Sequence, residues 1–411
     1  MSAIDPNGAR DHMLLPPSVV YLNAGSFGPL PRTVYGAAMD LRRQLAEEPA
    51  DFLLRKAPSL LWRAREDLAE FVGCAPHRLL FTASVSAAVS LVASSLSLAS
   101  PGEILLSDQE YLTMRWCWER VAERSGLSLR TFSIPIMPSD PEEIAAAAVQ
   151  AMGPHTRLIF FSHIVSATGL ILPAQRICEE ARRREIISVV DGAHAVASIP
   201  LDLGDIPCDF YVGSCHKWLL APSGASFLYL GREREDRLQP LTISWGHHSA
   251  QSESIPDQRD PFGSTPRLRR IECEGTRDIC PWLAVPEAIA FHRCFGTDGV
   301  ISQMRKLADY ARARFSDIPD LIPATPADQA LSSAMTAFSL PPESRHTELQ
   351  RILWDQFSIE VAVTERHDRR FLRLSPHVYN SVSEIDFLAE RLSEILPAKR
   401  PSAPTSIALS P

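Results

Sequence analysis

Ile186-Ile187-Ser188-Val189-Val190-Asp191-Gly192-Ala193-His194 and Phe210-Tyr211-Val212-Gly213-Ser214-Cys215-His216-Lys217-Trp218 share one layout. Each is a short apolar run, of strand length, that ends in side chains able to do chemistry. Runs with so few polar interruptions read as strands buried on both faces. On either side, Leu79-Leu80-Phe81-Thr82, Ile104-Leu105-Leu106, Leu158-Ile159-Phe160-Phe161 and Phe227-Leu228-Tyr229-Leu230 repeat the pattern. Amphipathic stretches such as 85–98 and 173–184 lie between several of them. Alternation of this kind predicts an α/β fold, with a mostly parallel central sheet and helices on its faces.

Residues 31–72 read as wholly helical, with Pro31 at a first turn and Gly73 at the stop. Beyond Ile289 the texture changes. A helix over 300–315 precedes a strand at Ala337-Phe338-Ser339-Leu340, a helix over 346–356, strands at 359–363 and 370–374, and a helix to 395. The expected organisation is an N-terminal extension (1–20), a large domain (21–293), a small α+β domain (294–396) and a disordered Pro/Ser-rich tail (397–411). Residues 248–268 read as a long polar loop of the kind that serves as a lid.

Among the 411 residues, 45% are hydrophobic and 22% charged, as in an ordinary globular protein with a sizeable core. A net charge of −8 and the lack of a basic stripe argue against nucleic acid as a partner. No apolar run approaches the roughly 20 residues that span a bilayer. The first 17 residues carry Asp5, Arg10 and Asp11 and do not resemble a signal peptide, so the expected location is cytoplasmic. The eight cysteines are scattered without metal-binding spacing, and His247-His248 reads as part of a polar loop.

The chemistry gathers at the two strand ends. A lysine after one strand and an aspartate at the end of its neighbour suit pyridoxal 5′-phosphate (PLP). Lys217 can hold the aldehyde as a Schiff base, and Asp191 can keep the pyridine nitrogen protonated so that the ring draws electrons. Thr82-Ala83-Ser84-Val85-Ser86-Ala87 runs from a strand into a helix start, where hydroxyls and free N–H groups suit a phosphate. A plain serine cap would look the same. Ser214 and His216 can add bonds to that phosphate. Tyr111 can stack on a ring, or be an ordinary half-buried tyrosine. Arg373, inside the apolar run Phe371-Leu372-Arg373-Leu374, calls for an anion, either a substrate carboxylate or a structural partner.

Six passages, from Tyr21 to Asn380, resemble the class V aminotransferase family of PLP fold type I, and within it the isopenicillin N epimerase-like branch. They are Tyr21-Leu22-Asn23-Ala24-Gly25-Ser26-Phe27-Gly28, Ser162-His163-Ile164-Val165-Ser166-Ala167-Thr168-Gly169, Asp191-Gly192-Ala193-His194-Ala195, Ser214-Cys215-His216-Lys217-Trp218, Glu274-Gly275-Thr276-Arg277-Asp278 and Arg373-Leu374-Ser375-Pro376-His377-Val378-Tyr379-Asn380. The resemblance implies Lys217 as Schiff-base lysine and proton shuttle, Asp191 on the ring nitrogen, and His194 by the ring's phenolic oxygen. It implies Ser84, Val85, Ser86, Ser214 and His216 at the phosphate, with Tyr111 and Ser166 beside the ring. Thr276 would reach the neighbouring subunit's phosphate, which implies a homodimer with shared sites. Arg373 would clamp the substrate carboxylate, with Asn23, Ser26 and Phe27 at the entrance.

Relatives that desulfurate cysteine carry a persulfide-forming cysteine shortly before that arginine. Residues 363–371 contain none, so persulfide chemistry is not expected. Once Lys217 removes the Cα proton, the family resemblance leaves β-elimination, epimerisation, transamination and decarboxylating oxidative deamination open. The expectation placed first is β-elimination, C–S lysis of a cysteine S-conjugate in natural-product metabolism, with epimerisation second. A dehydrogenase is disfavoured because no Gly-x-Gly-x-x-Gly follows a strand. A non-catalytic scaffold is disfavoured by the joint presence of Lys217, Asp191 and Arg373.

Overall fold

The computed structural model describes residues 6–231, 237–247, 265–341, 346–366 and 369–396. The strands are β1 (Val20–Tyr21), β2 (Leu79–Thr82), β3 (Glu103–Ser107), β4 (Ser128–Phe132), β5 (Thr156–Ser162), β6 (Ile187–Gly192), β7 (Phe210–Ser214), β8 (Ser226–Leu230), β9 (Ile322–Pro323), β10 (Thr336–Ser339), β11 (Ile359–Glu360), β12 (Ala362–Arg366) and β13 (Arg369–Leu374). Seven of them form one sheet in the order β2-β8-β7-β6-β5-β3-β4. Only β8 runs against the rest, pairing antiparallel with both β2 and β7.

The apolar runs become strands because helices cover both faces of this sheet. Side chains alternate between two cores with the strand period of two. Leu105, Ile159, Phe161, Val190 and Tyr211 join one core. Ile104, Leu106, Leu158, Phe160 and Val212 join the other. Edge strand β4 has a mostly exposed pattern and no continuous apolar run, which is why the sequence reading passed over it.

The stretch 31–72 is not one helix. Helix Arg32–Glu47 ends at Glu48, which leaves the helical region (φ −140°, ψ 72°) ahead of Pro49, and a new helical segment starts there. It passes through a π-helical turn, Phe52–Lys56, before helix Ala57–Phe71. Gly73 ends it with φ +69°, where a side chain would also strike Asp202.

A second, four-stranded antiparallel sheet has the order β12-β13-β10-β9. Helices Thr297–Phe315 and Val382–Ile395 supply Leu307, Phe315 and Leu388 to its core, which also takes Phe338, Leu372 and Leu374. The N-terminal stretch is packed into the body: Ala9 and Met13 are fully buried, and β1 pairs in parallel with β11. The expected division at residue 293 falls inside helix Val285–Phe295. Of the expected lid, 248–264 lies outside the described residues; its last residues are ordered differently, Thr265 capping helix Pro266–Glu272. The expected tail, 397–411, also lies outside them. Among the described residues no helix is long and apolar enough to cross a membrane.

Candidate active site

The polar groups line up along one edge of the large sheet, where its parallel strands end. Ser162 on β5 is the register partner of Asp191 on β6, and Gly192 pairs with Gly213 on β7. Ser214, Ser226 and Thr82 form a lateral row across β7, β8 and β2. In open α/β sheets this edge is where ligands bind.

Lys217 sits on the turn that leaves β7. The turn is closed by Cys215 N–H bonding to Ala225 O at 3.1 Å and Ala221 N–H to Cys215 O at 2.9 Å. It holds Leu220 at φ +60°, a strained conformation for a bulky residue. Lys217 Nζ lies 3.2 Å from His194 Nε2. Burial pushes the lysine down to about 8; Asp191 opposes that shift and the charge of Arg373 adds to it. His194 is held well below its ordinary range by burial first, then by Lys217 and Arg373. Nε2 faces the lysine amine, and the other ring nitrogen, Nδ1, is buried with no hydrogen-bond partner among the described residues.

Asp191 is buried, with Oδ1 accepting the Ala193 N–H at 2.9 Å. Burial raises its carboxyl, against that hydrogen bond and the lysine charge. A buried carboxylate in this state favours a cationic partner.

Arg373 enters from the other sheet. Its neighbours Leu372 and Leu374 face the small core, so Arg373 faces the opposite way, and its partners on both adjacent strands are alanines, Ala337 and Ala362. Arg373 is 2% exposed and has no carboxylate partner among the described residues. Nη1 donates to Ser166 O at 2.7 Å and Ser166 Oγ at 3.4 Å; Nη2 donates to Asn23 Oδ1 at 3.1 Å and Ser26 Oγ at 2.8 Å. Nε is buried with no partner among the described residues. Burial lowers this group to about 10. A buried cation held by neutral groups alone is a site for an anion.

The sequence-predicted residues are therefore brought together in part. Lys217, Asp191 and His194 share one end of the sheet, and Asn23, Ser26, Ser166 and Arg373 form one hydrogen-bonded group. Ser166, expected beside the ring, contacts Arg373. Ser84 caps helix Val85–Ser95, its Oγ accepting the Ala87 N–H at 3.1 Å, and Ser86 is exposed at that end. Ser214 Oγ lies 3.1 Å from His216 Nδ1. Tyr111 is the half-exposed residue that precedes helix Leu112–Ser125. Phe27 is 65% exposed, and Thr276 is exposed on the turn after helix Pro266–Glu272, outside the Lys217 group.

Two groups escaped the sequence reading. Glu360 accepts the Asn23 Nδ2–H at 2.8 Å and so fixes which face of that amide meets Arg373. Glu110 is buried next to Ser162. Nothing local marks Glu360, which lies on a short strand far along the chain from Asn23. Glu110 was visible as a carboxylate just after an apolar strand.

The donor set fits PLP. The unpartnered Nδ1 of His194, the buried anion of Asp191, the depressed amine of Lys217, and the capped helix start beside Ser214 match a phenolic oxygen, a pyridinium, an aldehyde and a phosphate. Among the described residues no cluster could hold a metal ion instead.

Comparison with known proteins agrees. The chain is 55% identical to an isopenicillin N epimerase of Streptomyces clavuligerus, over 96% of this chain and 99% of that protein. It is 53% identical to an isopenicillin N epimerase of Amycolatopsis lactamdurans, over 94% and 98%. A hercynylcysteine sulfoxide lyase of Schizosaccharomyces pombe is 22% identical over 94% and 96%. The fold matches that of a cystine C–S lyase solved with its product cysteine persulfide, with TM-score 0.80 at 24% identity over 92% of this chain and 98% of that one. It also matches a cysteine desulfurase from Thermococcus onnurineus, with TM-score 0.81 at 20% identity over 96% and 99%. Residues 28–388 match the family described as Aminotransferase class-V, and the chain belongs to that family of PLP-dependent enzymes.

Proposed function

We propose that this enzyme is an epimerase that inverts an α-amino-acid centre, with isopenicillin N as its substrate. The observation that carries this reading is the identity of 55% and 53% to two isopenicillin N epimerases along nearly the whole chain. C–S lysis, placed first from sequence, gives way to it, because the hercynylcysteine sulfoxide lyase is only 22% identical.

The site residues suit the reaction. PLP, when bound, withdraws electrons from the substrate and makes its Cα–H acidic. Asp191 holds the proton on the ring nitrogen, and His194 Nδ1 donates to the phenolic oxygen. Ser84, Val85, Ser86, Ser214 and His216 hold the phosphate, and Tyr111 covers the ring. Arg373, with Asn23, Ser26 and Ser166 fixing its plane, holds the substrate carboxylate. Lys217 Nζ takes the Cα proton on one face and releases it to solvent, and a proton drawn from solvent is delivered to the opposite face, so the centre inverts with no net change in protons. No C–C, C–N or C–S bond breaks. In the homodimer that the family resemblance implies, Thr276, exposed on the turn after helix Pro266–Glu272, would reach the neighbouring subunit's phosphate.

The test is incubation of the PLP-loaded enzyme with isopenicillin N in deuterated water, followed by chiral chromatography and mass spectrometry. The expected product is the inverted α-centre carrying one deuterium. Thiol and pyruvate from an S-alkyl-L-cysteine, with no inversion of isopenicillin N, would return the reading to a lyase.

A further inference from the structure

Glu110 lies three residues beyond the end of β3, where the chain folds back over the sheet edge. It is 3% exposed and pairs with no cation among the described residues. Its Oε1 accepts the Ser162 backbone N–H at 3.0 Å and meets Ser107 Oγ, and its Oε2 lies 2.6 Å from Ser162 Oγ. Ser107 ends β3, Ser162 ends β5, and Ser162 is in register with Asp191 on β6. One carboxyl group therefore ties together the ends of β3 and β5, beside the strand that carries Asp191. The same loop is fixed on its other side. Asp108 N–H bonds to Phe132 O at 2.9 Å, and Asp108 Oδ1 accepts the Ile134 N–H at 3.0 Å. The next residue after Glu110 is Tyr111, whose backbone starts helix Leu112–Ser125.

We propose that Glu110 is a positioning residue, a buried clasp between Ser107 and Ser162 that sets Tyr111 over the cofactor. This rests on Tyr111 covering the ring. Burial pushes Glu110 up to about 7, against the hydrogen bonds from Ser107 and Ser162 and aided by the charge of Asp191. Ser107 Oγ and Ser162 N–H donate to Oε1, and Ser162 Oγ donates to Oε2. A glutamine keeps the oxygen that accepts the first two, and its amide N–H meets Ser162 Oγ once that hydroxyl turns to accept. Glutamine therefore replaces the clasp and alanine removes it.

The experiment compares Glu110→Gln, Glu110→Ala, Tyr111→Ala and the double variant Glu110→Ala/Tyr111→Ala, each loaded with PLP. Three readouts are taken: the visible circular dichroism of bound PLP, the dissociation constant for PLP, and the rate of substrate Cα deuterium exchange. The first two need no substrate, so they stand if the epimerase reading fails. Loss of the clasp should weaken the dichroic band and slow exchange by roughly ten- to a hundredfold, since small displacements of a positioned group have effects of that size. Glu110→Gln should stay within about threefold of the parent, as an isosteric exchange of hydrogen-bond partners does. The double variant should be no worse than Tyr111→Ala alone. Three results overturn the proposal: an alanine variant with the parent's band and rate, a glutamine variant as damaged as alanine, or losses that multiply in the double variant. If Glu110→Ala does not fold, Ser162→Ala, which removes one partner of the carboxyl, is read by the same criteria.

Discussion

Lys217 Nζ and His194 Nε2 lie 3.2 Å apart, two nitrogen bases that burial pushes toward their neutral forms. Neither has an acidic hydrogen-bond partner in this contact, so the lysine amine is available to form a bond or move a proton. Lys217→Ala should keep the fold, because it deletes a buried group whose charged form is already disfavoured. It should lower Cα deuterium exchange by ~10³-fold, the scale of a lost general base. An unchanged thermal midpoint with lost exchange is the expected pair of results; exchange at the parent's rate would remove Lys217 from the mechanism.

The proposed anion site is Arg373, because among the described residues its buried guanidinium bonds to Asn23, Ser26 and Ser166 and to no carboxylate. Arg373→Ala should raise KM about a hundredfold for the carboxylate substrate, the cost of losing a buried charge-assisted pair. KM for the corresponding amide should change far less. Arg373→Lys should recover little, since an ammonium cannot reproduce the planar fork held by three partners. Equal effects on acid and amide would make Arg373 structural.

Much of this was legible in the chain, for local reasons. Buried strands such as β5 and β6 announce themselves as apolar runs, and Asp191 and Lys217 stand out because each follows one. Arg373 stands out as a charge between two leucines. What stayed hidden depends on partners distant in sequence. Glu360 acquires its role only when β11 pairs with β1 and brings it to Asn23. The edge strand β4 lacks a second buried face, and the π-helical turn at Phe52–Lys56 has no periodicity of its own that a short window could separate from an α-helix. The reaction itself was least legible, since elimination and inversion both begin with removal of the Cα proton, the step proposed for Lys217.

Acid should destabilise the protein through its buried histidines. Burial holds His163 and His292 at about 4 and His377 at about 3. In the unfolded chain each takes up a proton near its ordinary value of 6.5, while the folded state resists until much lower pH. Their contribution is thus complete above about 6.5 and is lost as pH falls toward 4. Glu110 acts in the opposite sense: its raised value favours the folded state most below its unfolded range, and that contribution fades as pH rises toward about 7. His194 and His216, also held low by burial, act with these three, while Asp191, raised by burial, acts with Glu110; the five histidines outweigh the two carboxyls. Urea midpoints measured at several values between pH 6.5 and 4.5 should fall with acid, and His292→Phe should reduce the slope by one proton, about 1.4 kcal/mol per pH unit. An unchanged slope in that variant would mean that His292 titrates alike in both states.

The Asn23 amide is oriented by two bonds, its nitrogen to Glu360 and its oxygen from Arg373. Glu360→Leu removes the first and lets the amide rotate. The expected cost is that of one hydrogen bond, roughly 1 kcal/mol, or about a fivefold rise in KM with kcat little changed. A fall in kcat with KM constant would place Glu360 in the chemical step instead.

Gly28 is where the segment that holds Arg373 meets the turn that holds Lys217. Its N–H bonds to His216 O at 2.8 Å, and a Cβ built there would lie 2.1 Å from Lys217 O and 2.9 Å from His216 O. Those contacts are backbone atoms, so no rotamer change relieves them. The segment or the lysine turn must move, and the turn already carries Leu220 at φ +60°. Gly28→Ala should therefore cost a few kcal/mol of stability, as overpacking against fixed atoms does, at about 1–3 kcal/mol. It should also affect both halves of the site, since Asn23 and Ser26 lie just upstream on the same segment. The signature is a lowered thermal midpoint together with a lower kcat and a higher KM. If only the midpoint falls, the lysine turn has kept its place and the segment has yielded without disturbing Arg373; if neither changes, the close approach at Gly28 does not exist in solution.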